Sequence, residues 1–131
     1  MLMLQNLWKC YHIMSSDEDQ LVVEDLYAGF DAYMRLVVTI EHVDYEKPEY
    51  SCSVSAIVNK EDAFILSKKL KVSMMHLLDV ISESMEEYSE IVNADFRQVQ
   101  ECFKEITDYF ISEKCPYRIV RKYGKHGFIC C

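Results

Sequence analysis

Two alternations of apolar and polar positions occupy the first half of the chain. Met34, Leu36, Val38 and Ile40 alternate with Arg35, Thr39 and Glu41, and branched residues at every second position suit a half-buried strand. The charged stretch from Asp44 to Glu49, with Pro48 inside it, interrupts the run. Then Cys52, Val54, Ala56 and Val58 face one way while Ser51, Ser53 and Ser55 face the other. The two runs predict an antiparallel hairpin with one buried face.

Elsewhere the spacing is helical. Val22, Val23, Leu26, Tyr27 and Phe30 recur at three to four residues, behind cap candidates and first-turn acids in Ser15–Asp19. They predict a helix over 17–29 that ends at Gly29, with a strand beginning at the run Leu21, Val22 and Val23 as the alternative. Asn59, with Asp62 three residues on, opens a helix that runs to about Leu70. Lys71 and Val72 break it, and Ser73 caps a helix striped by Met74, Leu77, Leu78, Ile81, Met85 and Tyr88. Asn93 caps another, where Phe96, Val99, Phe103, Ile106 and Phe110 form the stripe. Lys114 suits its end and Pro116 stops it. Tyr117–Tyr123 and Phe128–Cys131 flank Gly124 and Gly127 as a second, short hairpin. The expected fold class is α+β, with antiparallel hairpins packed against a small group of helices in the order helix, hairpin, three helices, short hairpin.

Composition supports a packed protein. At 131 residues, half of them hydrophobic and only five Gly or Pro, the chain reads as one domain over 1–131 with a real core. Residues 1–14 read either as an extension ahead of Met14 or as a core strand or helix. The apolar opening has one early charge, Lys9, and no small-residue cleavage site, so no signal peptide is expected. No apolar run reaches the roughly 18–20 residues of a membrane-spanning helix. Without a secretion signal the six cysteines are expected to stay reduced in the cytoplasm.

The net charge of −8 is unevenly spread. Residues 114–131 carry five bases and no acid, and residues 83–113 carry nine acids against Arg97 and Lys104. Glu83, Glu86, Glu87 and Glu90 therefore belong to a strongly negative helical face suited to steering toward a basic partner surface. Met74 and Met75, at a helix start, add an adaptable apolar contact that also suits a homodimer seam.

Residues 66–81, LSKKLKVSMMHLLDVI, resemble a helix-turn-helix, with Ser67 at the crossing and Leu70, Val72, Leu77 and Val80 locking the pair. The resemblance implies a DNA-binding regulator. Lys71 stands where such turns usually have glycine, and the second helix offers Met74, Met75 and Asp79 where base-reading side chains are needed. Lys68, Lys69 and Lys71, together with Arg118, Arg121, Lys122 and Lys125 among the tail aromatics, are the candidate nucleic-acid contacts. Against a chain this acidic, nucleic acid ranks behind protein as the partner.

No GxSxG, P-loop, HExxH or glycine-rich dinucleotide pattern occurs, so no catalytic residue and no cofactor are expected. Cys10 and His12 could meet His126, Cys130 and Cys131 only if the chain ends converged, and their spacing is not that of a zinc site. The sequence therefore reads as a small acidic interaction module, a non-enzymatic regulator or inhibitor. Its alternatives are a helix-turn-helix-like DNA-binding regulator and a phage or mobile-element inhibitor that mimics nucleic-acid charge. A thiol- or histidine-dependent enzyme comes third, and would need Cys and His to converge in a pocket.

Overall fold

In the computed structural model, which describes residues 7 and 9–123, the chain begins as a sheet. Strands β1 (Lys9–Ser15), β2 (Val22–Phe30), β3 (Leu36–Asp44) and β4 (Cys52–Val58) run in sequence. Helices α1 (Lys60–Leu70), α2 (His76–Ser84), α3 (Glu86–Ser89) and α4 (Phe96–Ser112) follow, and β5 (Arg118–Tyr123) returns to the sheet. The five strands are ordered β1-β2-β3-β4-β5 and every neighbouring pair is antiparallel.

This corrects the expected architecture. The protein mixes helix and strand, but it is built on one large sheet laid down first, not on hairpins set between helices. The residues expected to form a helix over 17–29 form β2. Leu26, Ala28 and Phe30 are fully buried at every second position, which is strand periodicity. Nor do the acids before it cap a helix at 17–29; Glu18 Oε2 instead accepts from the Phe96 N–H at the start of α4, at 3.3 Å. Ser16 Oγ accepts from the Glu24 N–H at 2.8 Å, and the Ser16 N–H donates to the Glu24 carbonyl at 2.7 Å, closing the β1–β2 connection.

The β2–β3 turn is held by Asp31. Its carboxylate accepts from the N–H groups of Tyr33 and Arg35, both at 2.9 Å, and from Arg35 Nε at 2.6 Å. The expected hairpin of β3 and β4 is present, with a register from Leu36↔Val58 to His42↔Cys52. Its second face is not solvated, however. Thr39, Glu41, Ser53 and Ser55 are buried there too, and Ser55 Oγ donates to Thr39 Oγ1 at 2.8 Å, which satisfies groups that would otherwise be costly to bury.

The helices cover the other face. Leu26, Phe30, Leu36 and Val38 from the strands pack with Leu66, Leu77, Val99 and Phe110 from the helices in one apolar cluster. The break between α1 and α2 falls as expected. Lys71 adopts a left-handed conformation (φ 60°, ψ 41°), and its N–H donates to the carbonyls of Ser67 and Lys68. Ser67 is buried at the crossing. Asn59 makes no side-chain cap for α1, and α4 is capped by Asp95, not Asn93. Asp95 Oδ1 accepts from the Gln98 N–H at 2.8 Å, and Gln98 Oε1 accepts from the Asp95 N–H at 2.9 Å, the reciprocal pairing of a capping box. Asn93 lies just ahead in a left-handed conformation. The long stripe from Met74 to Tyr88 is divided at Met85, where α2 gives way to the single turn of α3.

After Pro116 the chain enters β5, which pairs with β4 from Ile57↔Arg118 to Cys52↔Tyr123. The expected partner strand beyond Gly124, with Lys125, lies outside the described residues. Cys52, Cys102 and Cys115 are free thiols; Cys10 is disulfide-bonded, against the expectation that every cysteine is reduced. No helix among the described residues is long and apolar enough to cross a membrane.

Candidate functional site

The acidic face forms as a surface. Glu83, Glu86, Glu87 and Glu90 are all exposed at the end of α2 and along α3, and none has an ion-pair partner among the described residues. The acids of α4 differ. There Arg97 pairs with Glu101 at 2.8 Å and Lys104 with Asp108 at 2.8 Å, so that helix neutralises much of its own charge. Val92, 81 % exposed, stands beside the unpaired glutamates in sequence. Met74 and Met75 are half-buried and pack against the core.

The cationic candidates do not form one surface. Lys68, Lys69 and Lys71 are exposed around the end of α1. Lys68 Nζ lies 5.0 Å over the Phe64 ring, and Lys69 donates to the Glu113 carbonyl. The first turn of α2, which a DNA-reading helix would present to a groove, is tied to the sheet, because Tyr11 donates its phenol hydrogen to Asp79 Oδ1. On β5 the strand alternation divides the bases. Arg121 stands opposite Val54 on the helix-covered side, whereas Arg118 and Lys122 stand opposite Ile57 and Ser53 on the other side.

A second cluster escaped the sequence reading. Glu24, His42 and Cys52 are successive cross-strand neighbours on β2, β3 and β4, all on the helix-covered side. They line a cavity of 390 Å³ bounded by Ile40, Val54, Phe103 and Gln100, with Tyr50 and Arg121. Glu24 is only 5 % exposed. His42 Nδ1 lies 2.8 Å from Glu24 Oε2, and Gln100 Nε2 donates to both Glu24 oxygens at 3.3 and 3.4 Å. Facing a carboxylate, Nδ1 is the donor nitrogen, which leaves Nε2 without a hydrogen bond among the described residues. The imidazole also meets the Phe96 ring edge-on at 5.7 Å between centroids.

Cys and His do converge in a pocket, as a thiol enzyme would require, but the electrostatics oppose that chemistry. Burial, then the negative charge of Glu24, pushes the Cys52 thiol above its ordinary value, whereas a nucleophilic cysteine needs its pKa lowered. The buried thiols are more inert still. Burial and Glu105 push Cys102 up to about 12, and burial and Asp62 push Cys115 up to about 11.

Ser15, His12 and Asp25 also gather, near the β1 edge. Ser15 Oγ and Asp25 Oδ1 approach the same imidazole atom, His12 Nε2, at 2.9 and 3.0 Å, and Ser15 Oγ donates to Asp25 at 2.6 Å. A proton relay needs the serine and the carboxylate on different ring nitrogens, so this is a closed surface network. Among the described residues no group of three or more His, Cys, Asp or Glu is arranged to hold a metal ion.

A usable signal for the Glu24 cluster lay in the strand period. With 22–30 read as a strand, Glu24 falls on the side of Leu26, Ala28 and Phe30. His42 likewise shares a side with Val38 and Ile40, and Cys52 with Val54 and Ala56. Polar side chains on the buried face of three successive strands mark an internal site. Comparison with protein-family models, curated proteins and solved structures finds no match to this chain.

Proposed function

We propose that this chain is a small acidic interaction module, a non-enzymatic regulator or inhibitor that binds the basic surface of a protein partner through α2 and α3. One observation carries the reading. Four exposed glutamates within eight residues lack local counter-charges, while the neighbouring α4 pairs Glu101 with Arg97 and Asp108 with Lys104. Unpaired surface charge of one sign steers and orients association with the opposite sign. Two copies meeting through this face would set like charges together, so the reading favours a different, basic partner over a homodimer built on it.

A cytoplasmic setting belongs to this proposal, supported by three free thiols among the described cysteines. The disulfide at Cys10 argues the other way, since such bonds persist in oxidising compartments. Trapping thiols in the source cells before lysis decides the point by showing whether Cys10 is blocked or free.

The test places a photo-crosslinking residue at Val92 in the wild-type chain and in a quadruple Glu83→Lys, Glu86→Lys, Glu87→Lys, Glu90→Lys variant. Both are exposed to extract of the source cells at low and at high salt. The expected result is a discrete crosslinked protein with the wild type at low salt, lost in the variant and at high salt. The same species crosslinking to both chains would show that the acids only solubilise the protein.

A further inference from the structure

The cavity over β2, β3 and β4 has the composition of a ligand site that the acidic face does not use. Ile40, Val54 and Phe103 give it apolar walls, while Glu24, His42, Gln100 and Arg121 contribute its polar groups. At 390 Å³ it falls in the size range of small-molecule pockets, which are mostly apolar with a few convergent polar groups.

The bonding of those polar groups selects the ligand. Glu24 has both oxygens engaged, by His42 Nδ1 and Gln100 Nε2, and is nearly sealed from solvent. It is therefore poorly placed to receive an amine. Arg121 is exposed and has no acidic partner among the described residues. A guanidinium presents paired donors that match a carboxylate, and an unpaired one at an apolar pocket favours an anionic head group. His42 Nε2 is a polar atom of the cluster left without a hydrogen bond among the described residues. Its neighbour Glu24 holds the imidazole oriented, as a carboxylate does when it bonds the far nitrogen of a working histidine.

We propose that this cavity binds a small carboxylic acid with an apolar, ring-sized body. The carboxylate pairs with Arg121, the body lies against Ile40, Val54 and Phe103, and His42 Nε2 meets the ligand's polar edge. Glu24 and Gln100 position His42 and do not touch the ligand.

The probe is phenylacetate, with phenylacetamide and phenethylamine as the neutral and cationic counterparts of the same body. Each is titrated to about 10 mM into the isotopically labelled full chain, because a ligand this small is expected to bind with a Kd of about 1 mM. The expected result is saturable shifts of the Ile40 and Val54 methyl signals and the His42 ring with phenylacetate alone. Arg121→Gln weakens that binding about tenfold or more, and Arg121→Lys, which keeps the charge without the fork, falls between. Val54→Phe fills the cavity and abolishes binding, and an unchanged spectrum away from the cavity verifies that each variant is folded. The proposal is overturned if the amide binds as well as the acid, if the amine binds better, if Arg121→Gln changes nothing, or if no probe shifts the cavity signals.

Discussion

Replacing Gly29 with alanine tests how β1 is held on the sheet. Gly29 pairs with Cys10 across the β1–β2 ladder. A Cβ built there meets the Lys9 carbonyl oxygen at 2.2 Å, with Cys10 Cα and Leu7 Cδ1 both at 3.2 Å. Carbon and oxygen at ordinary contact need about 3.2 Å, so the strand must give way by about 1 Å. The obstructing atom is backbone and cannot rotate aside. Overpacking of this kind costs about 1–3 kcal/mol, and the backbone contact puts this site near the top of that range. Alanine also restricts the unfolded chain, which returns about 0.4–1 kcal/mol. Detaching β1 instead would expose the buried Ile13 and Met14, at about 1.5–3 kcal/mol each, so a local shift is the cheaper response.

The net expectation is a loss of about 2 kcal/mol, which lowers the urea midpoint by about 1 M for a slope of about 2 kcal/mol/M. Amide hydrogen exchange should show β1 losing protection while β3 and β4 keep theirs. A midpoint that stays put or rises, with β1 amides still protected, would mean that only the entropic gain operates and that β1 does not approach Gly29 as described.

Two further outcomes follow from the charge environments. Because burial and the Glu24 charge raise the Cys52 pKa, alkylation of Cys52 at pH 8 should run slower than that of an unhindered cysteine and climb at higher pH. Glu24→Gln should accelerate it by removing one of those two causes, as read by peptide mass spectrometry; an unchanged rate would mean the thiol does not feel Glu24. For Asp25, burial pushes the pKa up, but hydrogen bonds from His12 and Ser15 and the charge of His12 outweigh it, leaving the folded-state value below the ordinary one. The stability this contributes is fully present above the unfolded pKa of about 3.9 and is lost as pH falls through the lower folded-state value. Asp25→Asn should therefore flatten the acid limb of a stability–pH curve, and identical limbs in the two proteins would refute the linkage.

Local pattern carried the elements whose burial is decided by near neighbours. The β3–β4 hairpin alternates within each strand, α1 ends at a left-handed Lys71, and α4 shows an uninterrupted stripe before Pro116. β2 failed this reading because Val22, Val23, Leu26, Tyr27 and Phe30 satisfy helical spacing while Leu26, Ala28 and Phe30 satisfy strand spacing. Tertiary pairing decided between them, since β2 takes ladder bonds from β1 on one side and β3 on the other. The break at Met85 was equally invisible, because the apolar stripe continues across it.

Site legibility followed fold legibility. The acidic face needed only composition and exposed helices, so the exposure of Glu83, Glu86, Glu87 and Glu90 was legible along the chain. Glu24 was hidden because a residue assigned to an amphipathic helix has no reason to face the interior beside His42 and Cys52. Arg121 was hidden differently. Arg118, Arg121 and Lys122 look like one basic patch along the chain, but a strand sends neighbours to opposite faces. That alternation leaves Arg118 and Lys122 on the side away from the helices and delivers Arg121 to the cavity. The cavity thus depends on residues from Glu24 to Arg121, brought together by four strands and α4. Such a site is a property of the register: shifting β5 by one residue would turn Arg121 to the opposite face and bring a sequence neighbour to its place at the cavity.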